Sequence, residues 1–143
     1  MFCFGRCGVS SNMPRWCRAT NAVRNMVHCC KTLWSTFAGE NHPNLFLHSN
    51  GLLYANGTEK AITWMNSTAN GRPVIPRTGY IVEINALWYN ALRFTSELLS
   101  EGGNNNLADA LNVLAEKTGK AFVDTFLNEY GYLLDYVDGL PSL

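Results

Sequence analysis

Charge is scarce in this chain, and neither sign is in excess. Lys plus Arg and Asp plus Glu each number 11 in 143 residues, for a formal net charge of +0. Charged residues make up 15% of the chain, against roughly a quarter in ordinary globular proteins. No basic stripe is present to neutralise phosphates, which excludes nucleic acid and an anionic membrane surface as partners. No apolar run approaches the ~20 residues of a membrane span. The opening MFCFGRCGVSSNMPRW has no continuous apolar stretch of signal-peptide length, so a cytoplasmic location is expected. Cysteines are few and confined to one end, at Cys3, Cys7, Cys17, Cys29 and Cys30. No C-x2-C pair occurs and the count is odd. These spacings fit neither a closed disulfide framework nor the usual structural zinc sites. Reduced thiols are expected, with no metal and no cofactor implied.

Apolar residues nevertheless reach 47%, enough to bury a core in one ordinary domain. The most informative stretch runs from Asn50 to Phe94. It holds three aromatic and polar clusters, Thr63-Trp64-Met65-Asn66, Pro76-Arg77-Thr78-Gly79-Tyr80 and Glu83-Ile84-Asn85-Ala86-Leu87-Trp88-Tyr89-Asn90. Aromatic faces stack on sugar rings, and amides, guanidinium and carboxylate groups bond vicinal hydroxyls. Such a mixture suits a neutral, hydroxyl-rich ligand.

Apolar spacing predicts helices over Glu83 to about Ser100 and Leu107 to about Asn128, with a weaker helical pattern from Trp16 to Phe37. The glycine- and asparagine-rich 102–106 joins the two clearer helices. Leu52 to Ala55 reads as a short extended piece. Asn56-Gly57 reads as a turn, and Asn66 to Tyr80 as a long functional loop. Residues 130–139 read as a further aromatic loop with a short extended piece. The expected class is all-α: helical hairpins with long aromatic loops, packed into a larger assembly.

The three clusters, in this order, resemble the C-terminal glucosidase domain of glycogen debranching enzymes. That family's pattern is Thr-Trp-Met-Asp, then Thr-Pro-Arg, then Val-Glu-Ile-Asn-Ala-Leu-Trp-Tyr-Asn-Ala-Leu. Here the blocks are Thr63 to Asn66, Pro76 to Gly79 and Val82 to Leu92. Asn50 to Tyr54 and Tyr136 to Gly139 also fit. The resemblance sets residues 1–40 apart as a poorly matching segment and makes 41–143 a fragment of that domain. It implies an (α/α)6 barrel, of which this chain would supply two or so hairpins. It also implies hydrolysis of α-1,6 branch points in glycogen or another branched α-glucan. Expected partners are that glucan and either the rest of the barrel or a second copy.

Glycosidic cleavage takes two carboxyl groups, one of them a proton donor to the leaving oxygen. The resemblance puts the acid at position 66, where this chain carries Asn66. An amide has no proton to give at a useful pKa. The family's other carboxylate would lie beyond Leu143. Glu83 is the best-placed supporting carboxylate, as a sugar ligand or a partner of Arg77; it also suits a helix N-terminus on electrostatic grounds alone. Trp64, Arg77, Asn85, Trp88 and Tyr89 are candidate substrate-binding residues. Against that, Trp88 lies on the apolar stripe of its helix, and Asn85 among apolar neighbours takes its bonds from backbone or from sugar. His28, His42 and His48 share no motif and read as surface or loop residues. A catalytically silent glucan-binding or scaffold piece is the alternative function.

Overall fold

A computed structural model of the chain describes residues 42–63 and 67–138, together with His28, Thr32 and Ser35. The described elements are strands β1 (Leu45–Leu47), β2 (Leu53–Ala55), β3 (Thr68–Ala69), β4 (Arg72–Pro73) and β5 (Gly79–Ile81), helices α1 (Val82–Glu101) and α2 (Asn105–Phe126), and strand β6 (Tyr136–Val137). Strands β1, β2, β5 and β6 form one antiparallel sheet in the order β1-β2-β5-β6. Strands β3 and β4 form a separate hairpin. The all-α expectation is therefore corrected. The described chain is a small α+β fold, two helices packed with antiparallel sheets, and not part of an all-α (α/α)6 barrel.

The helices themselves follow the apolar spacing. Trp88, Leu92 and Leu99 of α1 meet Ala108, Leu111 and Ala115 of α2, with Leu53 of β2 closing the cluster. Between the helices, Ser96 Oγ donates to the Ala108 carbonyl at 2.9 Å, and Arg93 Nη1 donates to Asn112 Oδ1 at 3.1 Å. The partner numbers fall in α2 as they rise in α1, so the pair is antiparallel. A second cluster, Leu52, Tyr80 and Phe126, packs the sheet against the end of α2. Leu87, Phe94, Val113 and Val123 stand exposed on the helices. The helical pattern expected over Trp16 to Phe37 lies outside the described residues except at His28, Thr32 and Ser35. These three are helical, and Thr32 Oγ1 donates to the His28 carbonyl one turn back.

The loop expected over Asn66 to Tyr80 is also corrected, from Ser67 onward. Asn70 and Gly71 both take positive φ, 52° and 77°. Two left-handed residues in a row make the tight turn that matches strand twist, and they join β3 to β4. The other Asn-Gly pair works differently. Gly57 is not left-handed; its place is set by close approach. A Cβ there would run into the Arg77 carbonyl oxygen, so any other residue forces the backbone to shift. Gly57 N–H donates to Thr78 Oγ1 at 3.2 Å, and Thr58 and Thr78 hydroxyls meet at 3.1 Å. The 56–60 loop is thereby fastened to the segment carrying Arg77.

The turn between β1 and β2 does a similar task. Gly51, at φ 88°, presents its carbonyl to both helices. Trp88 Nε1 donates to it at 3.1 Å and Thr118 Oγ1 at 2.9 Å.

Candidate functional site

Arg77 is the centre of the site. It precedes β5, so the short run 76–78 carries its side chain under the start of α1. Only 3% of the residue is exposed. Nη1 donates to Glu83 Oε1 at 2.5 Å and Nη2 to Glu83 Oε2 at 3.0 Å. This is the two-pronged match of guanidinium with carboxylate. Nη1 also donates to Thr63 Oγ1 at 3.1 Å, and Nη2 to Asp135 Oδ1 at 2.7 Å. Nε is buried with no hydrogen-bond partner among the described residues. The Asp135 carbonyl accepts from Val82 N–H at 3.1 Å, which brings the chain before β6 against the first turn of α1.

The charges settle the state of each group. Burial pushes the Glu83 carboxyl up, but the hydrogen bond from Arg77, the backbone bond at Glu83 and the nearby positive charge together hold it below the ordinary value. The hydrogen bond with Glu83 raises Arg77, against a smaller opposing effect of burial. Glu83 is thus a carboxylate fully engaged with Arg77, and it has no proton to donate. A carboxylate in this state orients and balances charge; it does not act as a general acid.

Asn85 lies two residues further along α1 and is completely buried. Its Oδ1 accepts from Leu53 N–H at 2.7 Å, while Nδ2 donates to the carbonyls of Leu53 and Ile81, both at 3.0 Å. The carboxamide gives β2 the pair of bonds that a neighbouring strand would give at Leu53. Trp88 is buried against Gly51, as described above. Tyr89 is half-buried and lines an apolar groove of ≈ 470 Å³ with Ala86, Asn90, Gly119, Phe122 and Val123. Of the residues singled out in the sequence, the structure thus brings Arg77 and Glu83 together. It commits Asn85 and Trp88 to internal bonds and sets Tyr89 apart at the groove. Trp64 and Asn66 lie outside the described residues, as do the five cysteines. Among the described residues no cluster of His, Cys, Asp and Glu has the makings of a metal site. No described helix is long and apolar enough to cross a membrane.

Two features have no counterpart in the reading of the sequence. Asp135 is the second carboxylate on Arg77, 58 residues away along the chain. Its only local signal is its place just before Tyr136-Val137-Asp138-Gly139. The second is an aromatic knot around Tyr80. His48 Nδ1 lies 2.7 Å from the Tyr80 hydroxyl, which also accepts from Asn50 Nδ2 at 3.3 Å, and the His48 ring stacks on Tyr54. Burial is the main reason the Tyr80 hydroxyl is pushed up from its ordinary value. Beyond Thr58, a polar cleft of ≈ 400 Å³ opens between Asn44, Asn56, Thr58, Glu59 and Lys60.

The fold thus holds one guanidinium shared by two carboxylates and, at the 56–60 loop, a cleft of amides, hydroxyls and single charges. The family comparison gives the class to which the domain belongs. The chain belongs to the amylo-alpha-1,6-glucosidase family, whose model matches residues 14–141. The domain is therefore related to that of glycogen debranching enzymes, as the three sequence blocks anticipate. The matched span includes part of the segment 1–40 that the residue pattern sets apart. Comparisons with curated proteins and with solved structures gave no match.

Proposed function

We infer that this chain descends from a glucosidase acting on the α-1,6 branch points of glycogen or a similar α-glucan, and that as it stands it engages the glucan without cutting it. The observation that carries this is the state of Glu83. It is the carboxylate best placed to stand in for a missing acid, and it is ionised and bound on both oxygens by Arg77. Asn66 supplies no proton in its place. The polar cleft at Asn44, Asn56, Thr58, Glu59 and Lys60 offers amide, hydroxyl, carboxylate and ammonium groups suited to sugar hydroxyls. Trp64 and Tyr89 are the aromatic faces proposed to meet a sugar ring, and family membership supports the choice of glucan.

Two measurements test this. Tryptophan fluorescence is expected to change on titration with maltooligosaccharides, and glucose release from a branched limit dextrin is expected to stay at background. An unchanged emission at millimolar sugar would remove the glucan. Glucose release that survives Asn66→Ala would remove position 66 from the acid role. We also propose that the exposed helix residues Leu87, Phe94, Val113 and Val123 are covered in the working protein by further chain of the same domain or by a second copy. Apolar side chains displayed together in water favour association.

A further inference from the structure

Asparagine followed by glycine occurs three times in the chain, at Asn50-Gly51, Asn56-Gly57 and Asn70-Gly71. The last two share the residue before as well, as Ala55-Asn56-Gly57 and Ala69-Asn70-Gly71. Such pairs are chemically labile. Glycine has no side chain to keep its amide nitrogen from the carboxamide carbon of the preceding asparagine. Local sequence makes the two Ala-Asn-Gly copies equals. The fold does not.

At Asn56 both reacting groups are held. Asn56 Oδ1 accepts from Thr58 N–H at 3.3 Å, and Gly57 N–H donates to Thr78 Oγ1 at 3.2 Å. Asn50 is held in the same way. Its Oδ1 accepts from Leu52 N–H at 3.0 Å, its Nδ2 donates to the Tyr80 hydroxyl at 3.3 Å, and Gly51 N–H donates to the His48 carbonyl at 2.9 Å. Both glycines are buried. Asn70 and Gly71 are exposed, at the tip of the β3-β4 hairpin. No hydrogen bond among the described residues engages the Asn70 carboxamide or the Gly71 N–H. Nothing stands within 4 Å of the place a Gly71 Cβ would take.

We propose that Asn70 is a site of spontaneous covalent modification, deamidation to aspartate and isoaspartate in the folded protein, while hydrogen bonds shield Asn50 and Asn56. The Gly71 amide nitrogen gives its proton to water and bonds to Asn70 Cγ. The Cγ–Nδ2 bond breaks, and Nδ2 leaves as ammonia with a proton from solvent. One water then opens the five-membered imide at either carbonyl. One opening leaves aspartate; the other leaves isoaspartate, whose main chain runs through Cβ. Either product puts a carboxylate beside Arg72. The isoaspartyl form also lengthens the turn and removes the two successive left-handed residues that set the pairing of Thr68 with Pro73 and Ala69 with Arg72. None of this depends on the glucan reading.

The test follows each asparagine by peptide mass spectrometry with fragmentation, on the full chain held at mildly alkaline pH with and without urea. In the folded chain Asn70 is expected to convert about ten- to thirty-fold faster than Asn56, as suits two hydrogen bonds at the slower site. In urea the two Ala-Asn-Gly copies are expected to convert at similar rates. Thr78→Val removes the acceptor of Gly57 N–H, and is expected to speed conversion at Asn56 while Asn50 and Asn70 keep their rates. The proposal is overturned if Asn70 converts no faster than Asn56 in the folded chain. It is equally overturned if the difference persists in urea, where local sequence alone acts. A rise at Asn50 as well in Thr78→Val would overturn the part given to Thr78, since the whole fold and not that bond would then shield Asn56.

Discussion

Replacing Asn85 with alanine tests the fold and the site together. The side chain makes three hydrogen bonds, two of them to the same residue of β2. Asn85→Ala leaves the Leu53 N–H, the Leu53 carbonyl and one bond at Ile81 without their partner in a place closed to water. At about 1 kcal/mol net for each bond, with about 1 kcal/mol more for the small cavity, the loss is about 3–4 kcal/mol. That is a large share of the roughly 5–15 kcal/mol that holds an ordinary domain together. The thermal midpoint is expected to fall by about 10–15 °C for a chain of this size. Asn85→Asp is expected to be no better near neutral pH. It keeps the acceptor but turns a negative oxygen toward two carbonyl oxygens, and acid should partly relieve it. Scanning calorimetry with circular dichroism measures both variants. A drop in Asn85→Ala of less than about 3 °C would refute the latch. An unchanged midpoint joined to a loss of glucan affinity would instead return Asn85 to the role of sugar ligand.

Other perturbations probe different contacts. Glu83 has a depressed carboxyl, so its stabilisation is present above the unfolded value near 4.5 and is lost as the pH falls through its lower folded value. Urea midpoints should therefore decline on the acid side, and Glu83→Gln should flatten that decline. Gly57→Ala drives a Cβ against the Arg77 carbonyl and is expected to cost about 2–3 kcal/mol by overpacking; a denaturation curve like that of the unaltered chain would show that the loop yields. Replacing both Leu87 and Phe94 with lysine is expected to abolish any concentration-dependent rise in sedimentation coefficient. If the unaltered chain is monomeric at all concentrations, self-association is not how those side chains are covered.

Parts of this structure are legible in the sequence, and the reasons differ by element. Helices α1 and α2 announce themselves because Trp88, Leu92 and Leu99, or Leu111 and Ala115, repeat at helical spacing over about twenty residues. The sheet does not, because its strands are two or three residues long. Alternation needs more length than that to show. Moreover, β5 and β6 are paired across more than fifty residues of helix and loop. The turn at Asn70-Gly71 carries a clear local signal; two prolines and the family's block order draw attention instead to a loop. The pairing of Arg77 with Glu83 is legible, since they lie six residues apart at the entry to a helix. Asp135 is not, because only the folded chain brings it near. Asn85 shows where residue chemistry stops short. A buried amide must be satisfied, but composition does not decide between a strand edge and a sugar.

The carbonyl of Gly51 has a bearing on how the molecule assembles. It accepts from residues 37 and 67 positions away. A Cβ at that glycine would stand 2.8 Å from the Thr118 hydroxyl. The relative slide of the two helices is therefore held from outside the helical hairpin as well as within it, at the turn between β1 and β2. The hairpin can collapse quickly on local contacts, but these two outside bonds wait for two long loops to close. Substitutions at Thr118 or in the 48–51 turn should accordingly slow the last stage of refolding while leaving early helix formation untouched.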